Sequence, residues 1–185
     1  MNTTQNLKTQ WDALKQAQPH LRIRNAAEKL GVSEMELLAT KIGTGVTRLQ
    51  SNFKNILADI ESLGKVMALT RNNECVHERK GVYLNGDFSS PHASLFVGED
   101  IDLRIFLSHW TRAFAVIEEN ARGTSKSLQF FGKDGEAIHK IFLTVDSNEA
   151  AFETLVNKYK DENQDATEIT EAYTTVVEEK PDNEI

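Results

Sequence analysis

Cysteine occurs once in the 185 residues, at Cys75, which excludes an internal disulfide framework and a cysteine-rich zinc or iron–sulfur site. Long apolar runs are missing too. No window approaches the roughly 18 consecutive apolar residues that a membrane span requires, and the opening MNTTQNLKTQW lacks the basic-then-apolar build of a secretory signal. A reducing cytoplasm is the simplest compartment for such a chain, with no membrane partner. Nucleotide and hydrolase signatures are also absent: there is no GxGxxG, P-loop or GxSxG, and Gly43-Thr44-Gly45 lacks the residues that would extend it into a phosphate loop. The five histidines, His20, His77, His92, His109 and His139, form no HExxH or HxxxH pair.

What is present suits one medium domain. The hydrophobic fraction is 39% and the charged fraction 26%. A chain of this size buries roughly 70% of the surface its unfolded form exposes. The net charge of −7 weighs against tight nonspecific DNA binding. That imbalance is local: residues 161–185 hold nine acidic residues against Lys180 alone, or −8, which leaves about +1 for residues 1–160. Residues 1–160 therefore read as a single domain, and residues 161–185 as an acidic tail or interdomain linker.

Along the domain the apolar period changes once. Residues 3–62 read mostly as helix, beginning with Leu7, Trp11 and Leu14 at helical spacing and a stop at Pro19. Ala26, Ala27 and Leu30 share the next face, and Gly31 ends it. Ser33 with Glu36 forms a capping box before Met35, Leu37 and Leu38. A short strand is predicted over 46–49, then a helix with Phe53, Ile56, Leu57 and Ile60 on one side, ending at Gly64. From 65 to 145 the period is two, and the strand candidates are KVMALTRN, ECVHERKGVYLN, ASLFVG, DIDLRIFLSHWTRAFAVIEE, SKSLQFFG and EAIHKIFLTV. GKDGE between the last two reads as a hairpin turn. A capped helix follows, with Phe152, Leu155, Val156 and Tyr159 on one side. The fold class is α+β: N-terminal helices, a mostly antiparallel β-sheet of five or six strands, and a closing C-terminal helix.

Three segments invite a chemical reading. The helix pair around Gly31 has the outline of a helix-turn-helix, which would make the chain a DNA-binding regulator. Its second helix, however, is acidic at the end that would meet bases, so a packed helical hairpin is the better explanation. In GEDIDLRIFLSHW, residues 98–110, strand alternation points Ile101, Leu103, Ile105, Leu107 and His109 one way. It points Asp102, Arg104, Phe106, Ser108 and Trp110 the other way. An arginine framed by aromatic rings suits a flat, anionic, partly apolar ligand. On pattern alone the plainer alternative is favoured: Arg104 pairs with Asp102 or Glu99, while Phe106 and Trp110 pack under helices. In RNNECVHERKGVY, His77 near a strand end can ligate a metal, haem iron included, or be a surface histidine in a charged turn, the favoured reading on spacing. Cys75 is a soft-metal candidate or equally a small core residue.

Taken as a set, four stretches are specific: AAEKLGVSEMELLATKIG, ESLGKVMALTRNNECVHERKGVY, GEDIDLRIFLSHWTRAFAV and SLQFFGKDGEAIHKIFLT. In this order, and across roughly residues 20–160, the chain resembles the bacterial haemin-degrading factors of the HemS/ChuS/PhuS type. Those proteins are about twice as long and built of two similar halves. This chain resembles the first half, and EEKPDNEI resembles the segment that connects to the second.

The resemblance implies a HemS/ChuX-like fold and haem as the cofactor or cargo. Arg104 matches the family's distal haem-pocket arginine, Phe106 the aromatic that lines that pocket, and His77 a secondary haem-contacting histidine. The family's principal iron ligand lies in the second half and has no match here. Weak haem binding, or binding through a substitute such as His77, is therefore expected of this half. For the complete protein the resemblance implies haem capture and degradation with iron release. Two other readings are a structural half that packs on a homologous half, or on another copy of itself, to close the haem cleft, and the DNA-binding regulator above.

Overall fold

In a computed structural model that describes residues 3–120 and 123–173, the helical spacing of Leu7, Trp11 and Leu14 becomes helix α1 (Thr3–Ala17). Trp11 is buried against Ala26 and Ala27 of α2 (Ile23–Leu30) and Leu37 of α3 (Glu34–Ala39). Gly31 ends α2 in the left-handed region, at φ 68°, where its N–H reaches the carbonyls of Ala27 and Glu28. The capping box forms as expected: Ser33 Oγ accepts from Glu36 N at 3.1 Å, and Ser33 N donates to Glu36 Oε2 at 2.9 Å. Such a cap contributes about 1 kcal/mol. Five of the six residues of α3 are buried, and Glu34 is ion-paired with Lys140 in the sheet. The helix that a DNA reader would insert into a groove is thus occupied with the protein's own sheet.

Eight strands follow: β1 (Val46–Leu49), β2 (Gly64–Arg71), β3 (Val76–Gly81), β4 (Ser94–Val97), β5 (Asp102–Ile105), β6 (Arg112–Asn120), β7 (Gly123–Phe131) and β8 (Ala137–Ser147). Helix α4 (Phe53–Asp59), extended by a 3-10 turn over Ile60–Leu63, separates β1 from β2. Six strands form one antiparallel sheet in the order β1-β6-β7-β8-β2-β3. Strands β4 and β5 pair separately as a two-stranded sheet. Helix α5 (Glu149–Tyr159), capped by Asn148 accepting from Ala151 N, closes the fold.

The larger core lies on one face of the main sheet. There Phe53, Ile56 and Ile60 meet Val66, Leu128, Phe130 and Ile141, together with Phe152 and Leu155 of α5 and Phe96 and Ile105 of the small sheet. The opposite face carries Phe114 and Val116 under Met35 and Leu38. The GKDGE turn joins β7 to β8 with Gly135 at φ 79°.

Two expectations are corrected. The long candidate over residues 100–119 is not one strand. It ends at Ile105, turns through a 3-10 segment at Leu107–His109, and resumes as β6 at Arg112. Alternation therefore fails after Phe106, and Trp110 goes into the core against Phe53 and Phe130. Cys75 is not a core residue: it is exposed, in a turn where Asn72 Oδ1 accepts from Glu74 N and Cys75 N.

The acidic segment after α5 lies along the body as far as Tyr173, and EEKPDNEI lies outside the described residues. The buried guanidinium of Arg48 holds this strap. It donates to the carbonyls of Asn163, Asp165 and Thr167 and meets Glu168 at 2.8 Å. Arg112 Nε adds bonds of 3.0 and 3.2 Å to the same carboxylate. Among the described residues no helix is long and apolar enough to cross a membrane.

Candidate functional site

Because β5 breaks off into the 3-10 turn, a space opens between this turn and the start of β8. It is a cavity of about 480 Å³, within the range of small-molecule and cofactor sites. Leu103, Ile105, Phe106, Trp110 and Ile138 supply apolar walls, and Arg104, His109, Thr70, His139 and Tyr173 supply polar groups. Two carboxylates also line it: Glu136, paired with Arg24 at 3.0 Å, and Asp134, whose Oδ1 accepts from Glu136 N. The arrangement is local in origin. The 3-10 turn displaces His109 by its own short period, so that it faces the cavity together with Arg104 of the preceding strand and Phe106 at the N-cap of the turn.

Arg104 and Phe106 are both exposed, Phe106 with 54% of its surface accessible, unusually high for a large aromatic. The plainer alternative for Arg104 does not form: among the described residues it makes no ion pair with Asp102 or Glu99. A guanidinium without a carboxylate partner, beside an exposed ring and above apolar walls, can receive the negative group of a flat apolar ligand.

His77 is placed differently. It sits exposed on the edge strand β3, directly across from Thr70, and is not among the residues lining the cavity. Directly paired residues share a sheet face, so His77 stands one strand beyond the cavity wall. No group of three or more histidine, cysteine or acidic side chains that could hold a metal ion exists among the described residues.

Two residues of the wall, His139 and Tyr173, have roles that the sequence alone does not give. His139 is buried, and its Nδ1 lies 2.8 Å from Thr70 Oγ1 while its Nε2 lies 2.6 Å from the hydroxyl of Tyr83. Burial lowers the His139 pKa to about 4 and pushes the Tyr83 phenol up. Strand period alone places His139 inward, but the partner across 56 residues of sequence is a tertiary fact. Tyr173, from the strap, closes another side, its ring 5.9 Å from that of His109 and 5.0 Å from the Lys133 ammonium. A second hollow, between α4 and α5, is polar, but its ionic groups satisfy one another: Asp59 Oδ2 accepts from Lys158 Nζ and Tyr159 Oη, each at 2.7 Å.

The fold and cavity define a class, and comparison with known proteins agrees. The chain belongs to the haemin-degrading HemS.ChuX domain family, whose family model matches residues 31–159. It is 37% identical over 155 residues to the hemin transport protein HmuS of Yersinia pestis, covering 83% of this chain and 45% of the relative. The crystal structure of holo-PhuS, a heme-binding protein from Pseudomonas aeruginosa, superposes with a TM-score of 0.89 at 41% identity, covering 94% of this chain and 50% of that one. ChuS, an E. coli heme oxygenase, superposes with a TM-score of 0.80 at 30% identity, covering 91% of this chain and 50% of that one. The chain thus spans about half the length of these relatives.

Proposed function

We propose that this chain is a haem-handling domain that receives haem in the cavity between the Leu107–His109 turn and the start of β8. The observation that carries this reading is Arg104, without an ion-pair partner among the described residues, beside the exposed Phe106 at a largely apolar cavity. The residues fit the ligand: apolar walls suit the macrocycle, the guanidinium suits an anionic group, and an exposed imidazole is at hand. The names of the relatives, a hemin transport protein, a heme-binding protein and a heme oxygenase, support the same cargo. In a complete two-half protein, this half would position the haem while the iron and an external electron donor supply the chemistry of ring opening and iron release.

Two imidazoles compete for the iron. His109 lines the cavity, whereas His77 must reach over from the neighbouring strand, so His109 is the better placed. The structural reading, a half that packs on another half or a second copy, draws on the exposed Leu84 and Val97, which are joined by a Val97 N to Leu84 O bond of 3.1 Å. Sedimentation with and without haemin tests it.

The haem reading is tested by titrating the chain with haemin and following the Soret band. Saturable one-to-one binding is expected, weakened about tenfold in Arg104→Ala through loss of a charge-assisted hydrogen bond. His109→Ala should shift the band and His77→Ala should leave it in place; the reverse pattern assigns the iron to His77. Unchanged affinity in Arg104→Ala would show that the site is wrongly placed.

A further inference from the structure

The Tyr83 hydroxyl is fully enclosed, with 0% of the residue exposed, and His139 Nε2 at 2.6 Å is its hydrogen-bond partner among the described residues. A phenol has one hydrogen to place. If Nε2 carried the imidazole proton, the Tyr83 hydrogen would be buried with no acceptor, an arrangement native interiors avoid. Tyr83 therefore donates to Nε2. Burial keeps the imidazole neutral at physiological pH, so its one proton resides on Nδ1. That proton is donated to Thr70 Oγ1, 2.8 Å away. Thr70 then accepts from the protein, and its own hydroxyl hydrogen is left to point elsewhere. Thr70 is exposed and lines the cavity.

We infer that Thr70 is a hydrogen-bond donor built into the cavity wall, its direction set by the buried Tyr83–His139 pair, and that it takes an anionic oxygen of the bound ligand. Arg104 lines the same cavity, so the ligand would be held by one charged and one neutral donor. The identity of the ligand rests on the haem reading above; the direction of the donor does not.

The ligand-free test is the ¹⁵N signature of His139 at neutral pH. A protonated Nδ1 with a pyridine-like Nε2 is expected, and an Nε2–H tautomer or an imidazolium would overturn the assignment. The second test is haemin titration of Thr70→Val, which removes the hydroxyl and with it the acceptor of the His139 Nδ1 proton, and of Thr70→Ser, which keeps both. The His139 ¹⁵N signature is recorded for each variant, so that a change of tautomer is separated from loss of the donor. Thr70→Val should bind about tenfold more weakly, as for a hydrogen bond to a charged group, and Thr70→Ser like the wild type. Repeating the series with haemin dimethyl ester separates the sources: a loss that shrinks with the ester assigns the oxygen to a propionate, and an undiminished loss to an anion on the iron. Equal binding by Thr70→Val and wild type rejects the donor. A wild type that binds no haemin rejects the haem reading, while the tautomer result stands independently.

Discussion

Around Glu168 the buried polar groups are charged and face one another, with Arg48 Nε left without a partner among the described residues, whereas around His139 they are neutral and the chain of bonds ends at a surface. Arg48 and Glu168 are 5% and 8% exposed, and the arginine is used to hold backbone carbonyls of the strap. Tyr83 and His139 are equally enclosed, but their network terminates at Thr70, which faces the cavity. The difference is one of purpose. A buried ion pair is costly to break because each charge depends on its partner, so it suits a clamp, while a neutral network can leave one donor available to a ligand without burying a charge.

Breaking the clamp should have the largest effect. Arg48→Ala strands Glu168 with Arg112 alone and frees three carbonyls, so stability should fall by about 3 kcal/mol or more, read from urea unfolding. Replacing both members, as in Arg48→Met with Glu168→Leu, should recover part of the loss, because the buried charge goes with its partner.

The neutral network responds to acid instead. The folded His139 pKa is pulled down to about 4 by burial, below the unfolded value of about 6.5. Between these values the unfolded chain binds the extra proton. The contribution is therefore fully present above about pH 6.5 and lost as pH falls toward 4, by on the order of 3 kcal/mol. His139→Gln should flatten that part of the stability curve relative to wild type. The smallest effect is that of Tyr83→Phe, which leaves Nε2 without its donor: about 1 kcal/mol of stability, with the His139 tautomer released.

Features written in adjacent residues are legible in the sequence alone. The Ser33–Glu36 box and the GKDGE turn depend on contacts a few residues apart, the β1 strand and the apolar stripe of α5 are announced by a local period, and each forms where its pattern lies. The segment 100–119 reads as one strand because period two continues through Trp110 in the letters, while packing of that ring against Phe53 and Phe130 turns the chain inward. Arg104 and Phe106 stand out as an unusual solvent face, and they line the cavity. His77 stands out equally and does not, because its place depends on the pairing of β2 with β3. Glu168 is indistinguishable from its acidic neighbours, since the arginine that buries it lies far upstream in β1. The same holds for Thr70, His139 and Tyr83, whose roles exist only once distant parts of the chain meet.

The most direct test of the account is the position of the iron anomalous peak in crystals of the chain grown with haemin. The account predicts one peak between the Leu107–His109 turn and the start of β8, with Arg104 and Phe106 against the macrocycle. A peak on the outer side of β3 beside His77, or on the helical face near α3, would contradict it.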